Sequence, residues 1–302
     1  MFRLLSKESN IFSIPVYLIF LLFIVVTFNV LDFSVINGIS AGITFAGIAL
    51  GYFLFNTINL NHQTHIPLFL YTFLVFALYP GSLDIGIAVS LFTNSFILLL
   101  LLTSTDDTLK RSSYMFIGSL LAINFIFLPT TWPLSIFVLI HIMATSDRVA
   151  LNIFRFFFGM MLIGLSYLSV MFYINYTTWD ERYFPFGEFQ ITQNYFPLYL
   201  LAPIALLILY SVFDHFQNFN KKSPVSKFKY TFVLVFSLAQ LVTICLYMGQ
   251  EHEYLLLLAF PMSIILSRGL NFMPKYWQKE VFLWLIIISL LLYKAGSYIE
   301  LF

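Results

Sequence analysis

Long apolar runs separated by short polar connections dominate this chain, and they leave few folds open to it. Such runs occur at Ile11–Val30, Ser40–Phe55, Ile66–Tyr79, Ile85–Leu102, Tyr114–Leu128 and Leu134–Met143. They continue at Val149–Ile174, Leu198–Phe213, Tyr230–Tyr247, Leu255–Leu266 and Val281–Tyr293. A hydrocarbon core about 30 Å thick takes about 20 helical residues per straight crossing. Several of the eleven runs fall short of that length. Polar flanks can extend a helix, and a helix shielded by its neighbours can be shorter. The prediction is an all-α, polytopic transmembrane helical bundle of about eleven helices (nine to eleven), forming one membrane domain over residues 1–302. The range reflects two pairs that also read as re-entrant hairpins: Ile66–Tyr79 with Ile85–Leu102, and Tyr114–Leu128 with Leu134–Met143.

Composition identifies the solvent. Hydrophobic residues make up 60% of the chain and charged ones 10%, against about 25% charged in a soluble domain. Mean hydropathy is +0.91. Lipid must therefore cover most of the surface. The net charge of +1 points to no polyanionic partner, and no basic tract suggests nucleic acid. Cys245 is the single cysteine, so no internal disulfide can form. Ile11–Val30 is a full-length apolar run without a small-residue cleavage site after it, which reads as a first transmembrane helix.

Breakers fall between the runs. Tyr79-Pro80-Gly81-Ser82 separates the third and fourth, and Pro129-Thr130-Thr131-Trp132-Pro133 the fifth and sixth. Pro185, Gly187 and Pro197 mark the longest connection, before the eighth.

Lysine and arginine set the orientation. With the N-terminus inside and strict alternation, thirteen of the fifteen fall on the cytoplasmic side: Arg3, Lys7, Lys110, Arg111, Arg148, Arg155, Lys221, Lys222, Lys227, Lys229, Arg268, Lys275 and Lys279. Only Arg182 and Lys294 fall outside. The bias predicts an N-in, C-out protein. The outer side also receives eight of the fourteen acidic residues, so it is distinctly acidic.

That outer face holds the candidates for chemistry. The long connection Asn175–Pro197 is rich in aromatics and contains Asp180-Glu181-Arg182-Tyr183. One reading is an amphipathic stretch at the interface, where Trp and Tyr settle. The other is a lid over a cavity, with Arg182 clamping a phosphate bidentately. Gln250-Glu251-His252-Glu253-Tyr254 forms a tight outer turn. Two carboxylates around a His suit a divalent metal or acid–base work. Three adjacent residues cannot all face one ligand, which favours a solvated turn, and no metal site is assigned.

Asp84 precedes Ile85 and suits a helix N-cap. Asp32 follows the first run, at the helix end where the dipole disfavours an acid. That conflict makes Asp32 the candidate catalytic carboxylate. At membrane depth Asn94, Asn124, His141 and Gln240 are expected to hydrogen-bond to neighbouring helices. His141 reads as the single ionisable group of the interior, which argues against a proton relay. No P-loop, GxGxxG, HExxH, GxSxG or CxxC occurs, and the sequence leaves the cofactor open.

Two stretches carry a resemblance. SSYMFIGSLLAINFIFLPTTWPLSIFVLIHIMATSDRVALNIFRFFFGMMLIGLSYL and EHEYLLLLAFPMSIILSRGL resemble the middle and late segments of GT-C-type membrane glycosyltransferases. In the second, this chain has Glu253 where the common form has Arg before the Tyr. The likeness implies a polyprenyl-phosphate-linked sugar donor and catalysis at the outer face. Asp32 would then be the base, Arg182 would meet the lipid-linked phosphate, Asp180 and Glu181 would bind elsewhere on the substrate, and Glu251, His252 and Glu253 would flank the acceptor. The first outer loop in those enzymes is long, whereas here it is about Leu31–Ile39.

Over its whole length the chain also resembles an uncharacterised family of Bacteroidota inner-membrane proteins. The matching features are MFRLLSKESNIFSIPVYLIFLLF, HIPLFLYTFLVFALYP and the EHEYLLLL ending. This likeness implies integration into the bacterial inner membrane. Two functions stand side by side: a GT-C-like enzyme on lipid-linked sugars, and a non-catalytic membrane subunit of an envelope-biogenesis or secretion complex, with other membrane-protein subunits as partners. A transporter would need inverted repeats or broken helices around a midplane site, and neither is visible.

Overall fold

Away from water, a backbone N–H or C=O can bond only to protein, and the α-helix satisfies both locally. The apolar runs therefore become helices. The computed structural model describes residues 2–5, 14–29, 34–58, 64–79, 83–103, 107–175, 183–186, 189, 196–219, 223–249 and 251–298. In chain order these form α1 (Phe2–Leu5), α2 (Ile14–Asn29), α3 (Val35–Ile58), α4 (Ile66–Leu78), α5 (Ile85–Thr103), α6 (Asp107–Phe127) and α7 (Trp132–Thr145). They continue as α8 (Val149–Tyr173), α9 (Phe196–Tyr199), α10 (Ala202–Gln217), α11 (Pro224–Tyr247), α12 (Ala259–Phe272) and α13 (Tyr276–Tyr298). No strand occurs among the described residues.

Apart from the four-residue α1 and α9, eleven helices remain, and each of the eleven predicted runs falls on one of them. Among the described residues, five helical stretches have the length and apolarity to cross a membrane: Val35–Phe55, Ile85–Leu102, Val149–Tyr173, Ser226–Tyr247 and His252–Phe272. The bundle is all-α, as expected. Several helices outrun their hydropathy signal. α6 begins at Asp107 rather than Tyr114, and α13 covers Tyr276–Tyr298 rather than Val281–Tyr293. Helical hydrogen bonding continues through polar flanks that an apolar pattern does not register.

Two short helices, α4 and α12, are the enclosed ones. Ten of the thirteen residues of α4 and eleven of the fourteen of α12 are buried, and α4 packs directly on α12. In α8, twenty-five residues long, only Asn152, Phe156 and Gly159 are buried. A helix facing lipid must match the bilayer, whereas one surrounded by protein need not.

In each suspected hairpin, one helix runs along a neighbour from end to end. α4 starts beside α1, where His65 N–H donates to the Leu5 carbonyl at 2.9 Å. Phe2 N–H there donates to Glu280 Oε2 on α13, also at 2.9 Å. α4 ends beside Lys294, near the far end of α13. α7 likewise follows α11 along its length. Trp132 meets Tyr247 at one end, and His141 packs against Phe228 at 6.1 Å near the other.

Proline explains the break before α12. Pro261 lacks an N–H, which only the first helical turn tolerates. The α-helix accordingly starts at Ala259, and His252–Leu258 forms a 3₁₀ segment. Small residues bring backbones together, as lipid-embedded packing requires. A Cβ at Gly118 would collide with the Phe156 carbonyl, and one at Gly159 with the Met115 carbonyl. α6 and α8 are thus in backbone contact. An aromatic ladder joins α2, α3, α4 and α12: Tyr17 stacks on Tyr52 at 5.8 Å, Tyr52 meets Tyr71 at 5.2 Å, and Tyr71 meets Phe260 at 5.7 Å.

The buried polar residues depart from expectation in part. Asn124 donates to Asn94 Oδ1 at 3.2 Å and accepts from Thr93, as anticipated. Gln240, 1% exposed, has no hydrogen-bond partner on either amide atom. His141 is not the only ionisable group inside. His215, Arg268 and Lys294 are buried, whereas His141 is half-buried. The charge count places residues by their loop, whereas a side chain near a helix end can turn into the bundle. Arg268 and Lys294 lie toward opposite ends of the antiparallel α12–α13 pair, so they form no continuous relay.

Candidate functional site

The Tyr79–Asp84 connection interrupts the helical ladder and leaves backbone groups to be satisfied by side chains. α4 ends at Tyr79, whose carbonyl accepts from Lys294 Nζ. The same ammonium lies 4.1 Å from the Phe28 ring centroid. Ser40 Oγ donates to the Leu83 carbonyl at 2.7 Å. Asp84 Oδ2 accepts from Gly86 N–H at 2.8 Å, the N-cap expected of it. The Asp84 N–H in turn donates to Glu253 Oε2 at 3.1 Å. α3, α13 and the segment before α12 thus grip this turn. Bonds to charged groups contribute about 1.5–3 kcal/mol each.

The Gln250–Tyr254 turn supplies Glu253. Gly249, at φ 53°, opens it in the left-handed region that favours glycine. Glu251 is exposed, while His252 and Glu253 are half-buried. In a 3₁₀ segment with three residues per turn, successive side chains diverge by about 120°, so these three do not converge. His252 Nδ1 is buried without a hydrogen-bond partner. Tyr254 shares a hydrogen bond with Thr130 Oγ1 at 3.2 Å. Among the described residues, no three His, Cys, Asp or Glu side chains come together to hold a metal.

The aromatic connection docks on this same end. Tyr183 and Tyr167 share a hydroxyl hydrogen bond at 2.6 Å, and Tyr183 stacks 6.5 Å from Phe125. Trp132 Nε1 donates to the Tyr247 hydroxyl at 2.8 Å, which donates to the Pro185 carbonyl at 3.2 Å. Phe186 packs 5.4 Å from Trp132, and Phe189 lies 5.9 Å from Tyr247. The segment therefore rests on the ends of α6, α7, α8 and α11. Asp32, Asp180, Glu181 and Arg182 lie outside the described residues.

Sequence reasoning missed the grip on the turn. It recognised Asp84 as a cap and Lys294 as a rare outer cation, but nothing in the pattern joins either to its partner. A groove of about 590 Å³ also went unseen. Tyr199, Pro203, Glu280, Trp284, Ile288 and Leu292 are among its lining residues. It follows α13 for about 18 Å, at 1.5 Å per residue.

An all-α bundle with exposed apolar helices and polar groups gathered at its ends defines a helical membrane protein, whose environment is a lipid bilayer. The chain belongs to the Family of unknown function (DUF6427), whose family model covers residues 1–301. No curated protein and no solved structure matches the chain.

Proposed function

We propose that this protein is a non-catalytic subunit of an inner-membrane complex serving envelope biogenesis or secretion, inserted N-in and C-out. The observation that carries the reading is the commitment of the Asp84 and Glu253 carboxylates to backbone N–H groups at 2.8 and 3.1 Å. Each of these oxygens is engaged in holding backbone beside a helix start. The α13 groove supports the same reading. Its apolar walls suit part of one transmembrane helix of a partner subunit. Mild extraction from native membranes followed by affinity isolation tests this. A defined partner that crosslinks to a photoreactive group at Trp284 supports it, and a monodisperse monomer without partner overturns it.

The unpartnered His252 Nδ1 favours a second reading, a GT-C-like enzyme acting on lipid-linked sugars. There Asp32 acts as base, Arg182 contacts a polyprenyl phosphate, and Asp180 and Glu181 bind elsewhere on the substrate. Glu251, His252 and Glu253 flank the acceptor. Normal envelope glycans in cells carrying Asp32→Asn would sink this reading.

A further inference from the structure

At the end of the bundle opposite Asp84, α12 packs against both α10 and α11. Arg268 of α12 is buried there at 5% exposure. Its guanidinium lies 4.3 Å from the Tyr230 ring centroid and 5.5 Å from that of Phe272. Nη2 donates to Ser226 Oγ at 3.0 Å. Nε and Nη1 are buried with no hydrogen-bond partner, and so is the Tyr230 hydroxyl. His215, 1% exposed, packs 4.5 Å from the Tyr230 ring. Its Nε2 is 3.3 Å from Thr231 Oγ1.

The surroundings are largely positive. α11 begins here, capped by Ser223, whose Oγ accepts from Ser226 N–H at 3.4 Å. The N-terminus of this 24-residue helix carries a partial positive charge. Lys221 and Lys222 precede it in sequence, and Lys227 and Lys229 sit in its first two turns. Asp214 is the carboxylate whose charge bears on Arg268. It accepts from Asn218 Nδ2 at 2.8 Å. A buried cation is costly unless paired and hydrogen-bonded, and two of the three guanidinium nitrogens are not.

We infer that Arg268, the Tyr230 hydroxyl and the first turn of α11 form a binding site for a phosphate group, delivered by the headgroup of an anionic phospholipid. A phosphate offers several acceptor oxygens to the two free guanidinium nitrogens and the Tyr230 hydroxyl, beside a helix N-terminus whose dipole favours an anion. Basic pockets between transmembrane helices on the cytoplasmic side take such headgroups. The free nitrogens are shielded in this conformation, so occupancy requires the rim to open.

The test is thermal unfolding of the full-length protein in nanodiscs. Discs of phosphatidylcholine alone are compared with discs containing added phosphatidylglycerol, and with phosphatidylcholine discs plus inorganic phosphate. Phosphatidylglycerol is expected to raise the wild-type midpoint saturably. Arg268→Gln and Tyr230→Phe should need about tenfold more of it, the weakening that a lost contact of about 1.4 kcal/mol gives. An equal rise with inorganic phosphate assigns the site to a soluble phosphate and keeps its chemistry. No wild-type response, or an equal response in the variants, overturns the site and leaves Arg268 a structural cation held by aromatic rings. Should Arg268→Gln fail to fold, Tyr230→Phe decides, because it keeps the ring under the guanidinium and removes only the hydroxyl.

Discussion

Glu253 accepts the backbone N–H of Asp84 at 3.1 Å, across a separation of 169 residues. Asp84 then caps α5 through Gly86. One carboxylate thus holds the cap residue that the next carboxylate needs to work.

Replacing Glu253 by Ala removes an acceptor and leaves the Asp84 N–H without it. The expected cost is about 0.5–1.5 kcal/mol, the net value of a solvent-exposed hydrogen bond, read as a drop in the thermal midpoint of detergent-purified protein. Glu253→Gln keeps an acceptor oxygen and should lose much less. Equal losses in the two variants would show that the negative charge, rather than the hydrogen bond, holds the turn.

Glycine at the α6–α8 contact predicts a sharp contrast. Gly118→Ala drives a methyl into the Phe156 carbonyl and should cost about 1–3 kcal/mol or more, as overpacking does. Gly164 lies on the same α8, and a Cβ there meets nothing within 4 Å. Gly164→Ala should therefore be neutral or stabilising by up to about 1 kcal/mol. Folded yield and unfolding midpoint of the two variants check this directly.

Orientation is accessible to labelling. In a Cys245→Ser background, Glu251→Cys should react with a membrane-impermeant maleimide in intact spheroplasts. Lys275→Cys should react only after permeabilisation, since thirteen of fifteen Lys and Arg residues fall on the cytoplasmic side in this arrangement. The reverse pattern would overturn the N-in assignment.

The α13 groove offers a fourth test. Trp284→Arg puts a charge on its apolar wall, costing about 2.5–3.5 kcal/mol near the bilayer centre. Partner recovery should fall steeply. Leu206→Ala, on the exposed surface of α10, should leave it unchanged.

The sequence alone determined that the chain is helical, roughly how many long helices it makes, and which proline- and glycine-containing stretches separate them. Apolar length, proline position and charge bias are local quantities, and lipid permits few alternatives for a backbone. The cap at Asp84 was legible for the same reason. Tertiary structure decided the rest. That Glu253 serves Asp84, that Lys294 and Arg268 turn inward, and that short α4 and α12 are the enclosed helices all depend on which elements become neighbours. Packing sets that choice through small contacts such as Gly118 on Phe156, between residues far apart in the chain. Hydrophobic periodicity carries no record of such pairings, because in lipid the inner and outer faces of a helix are both apolar.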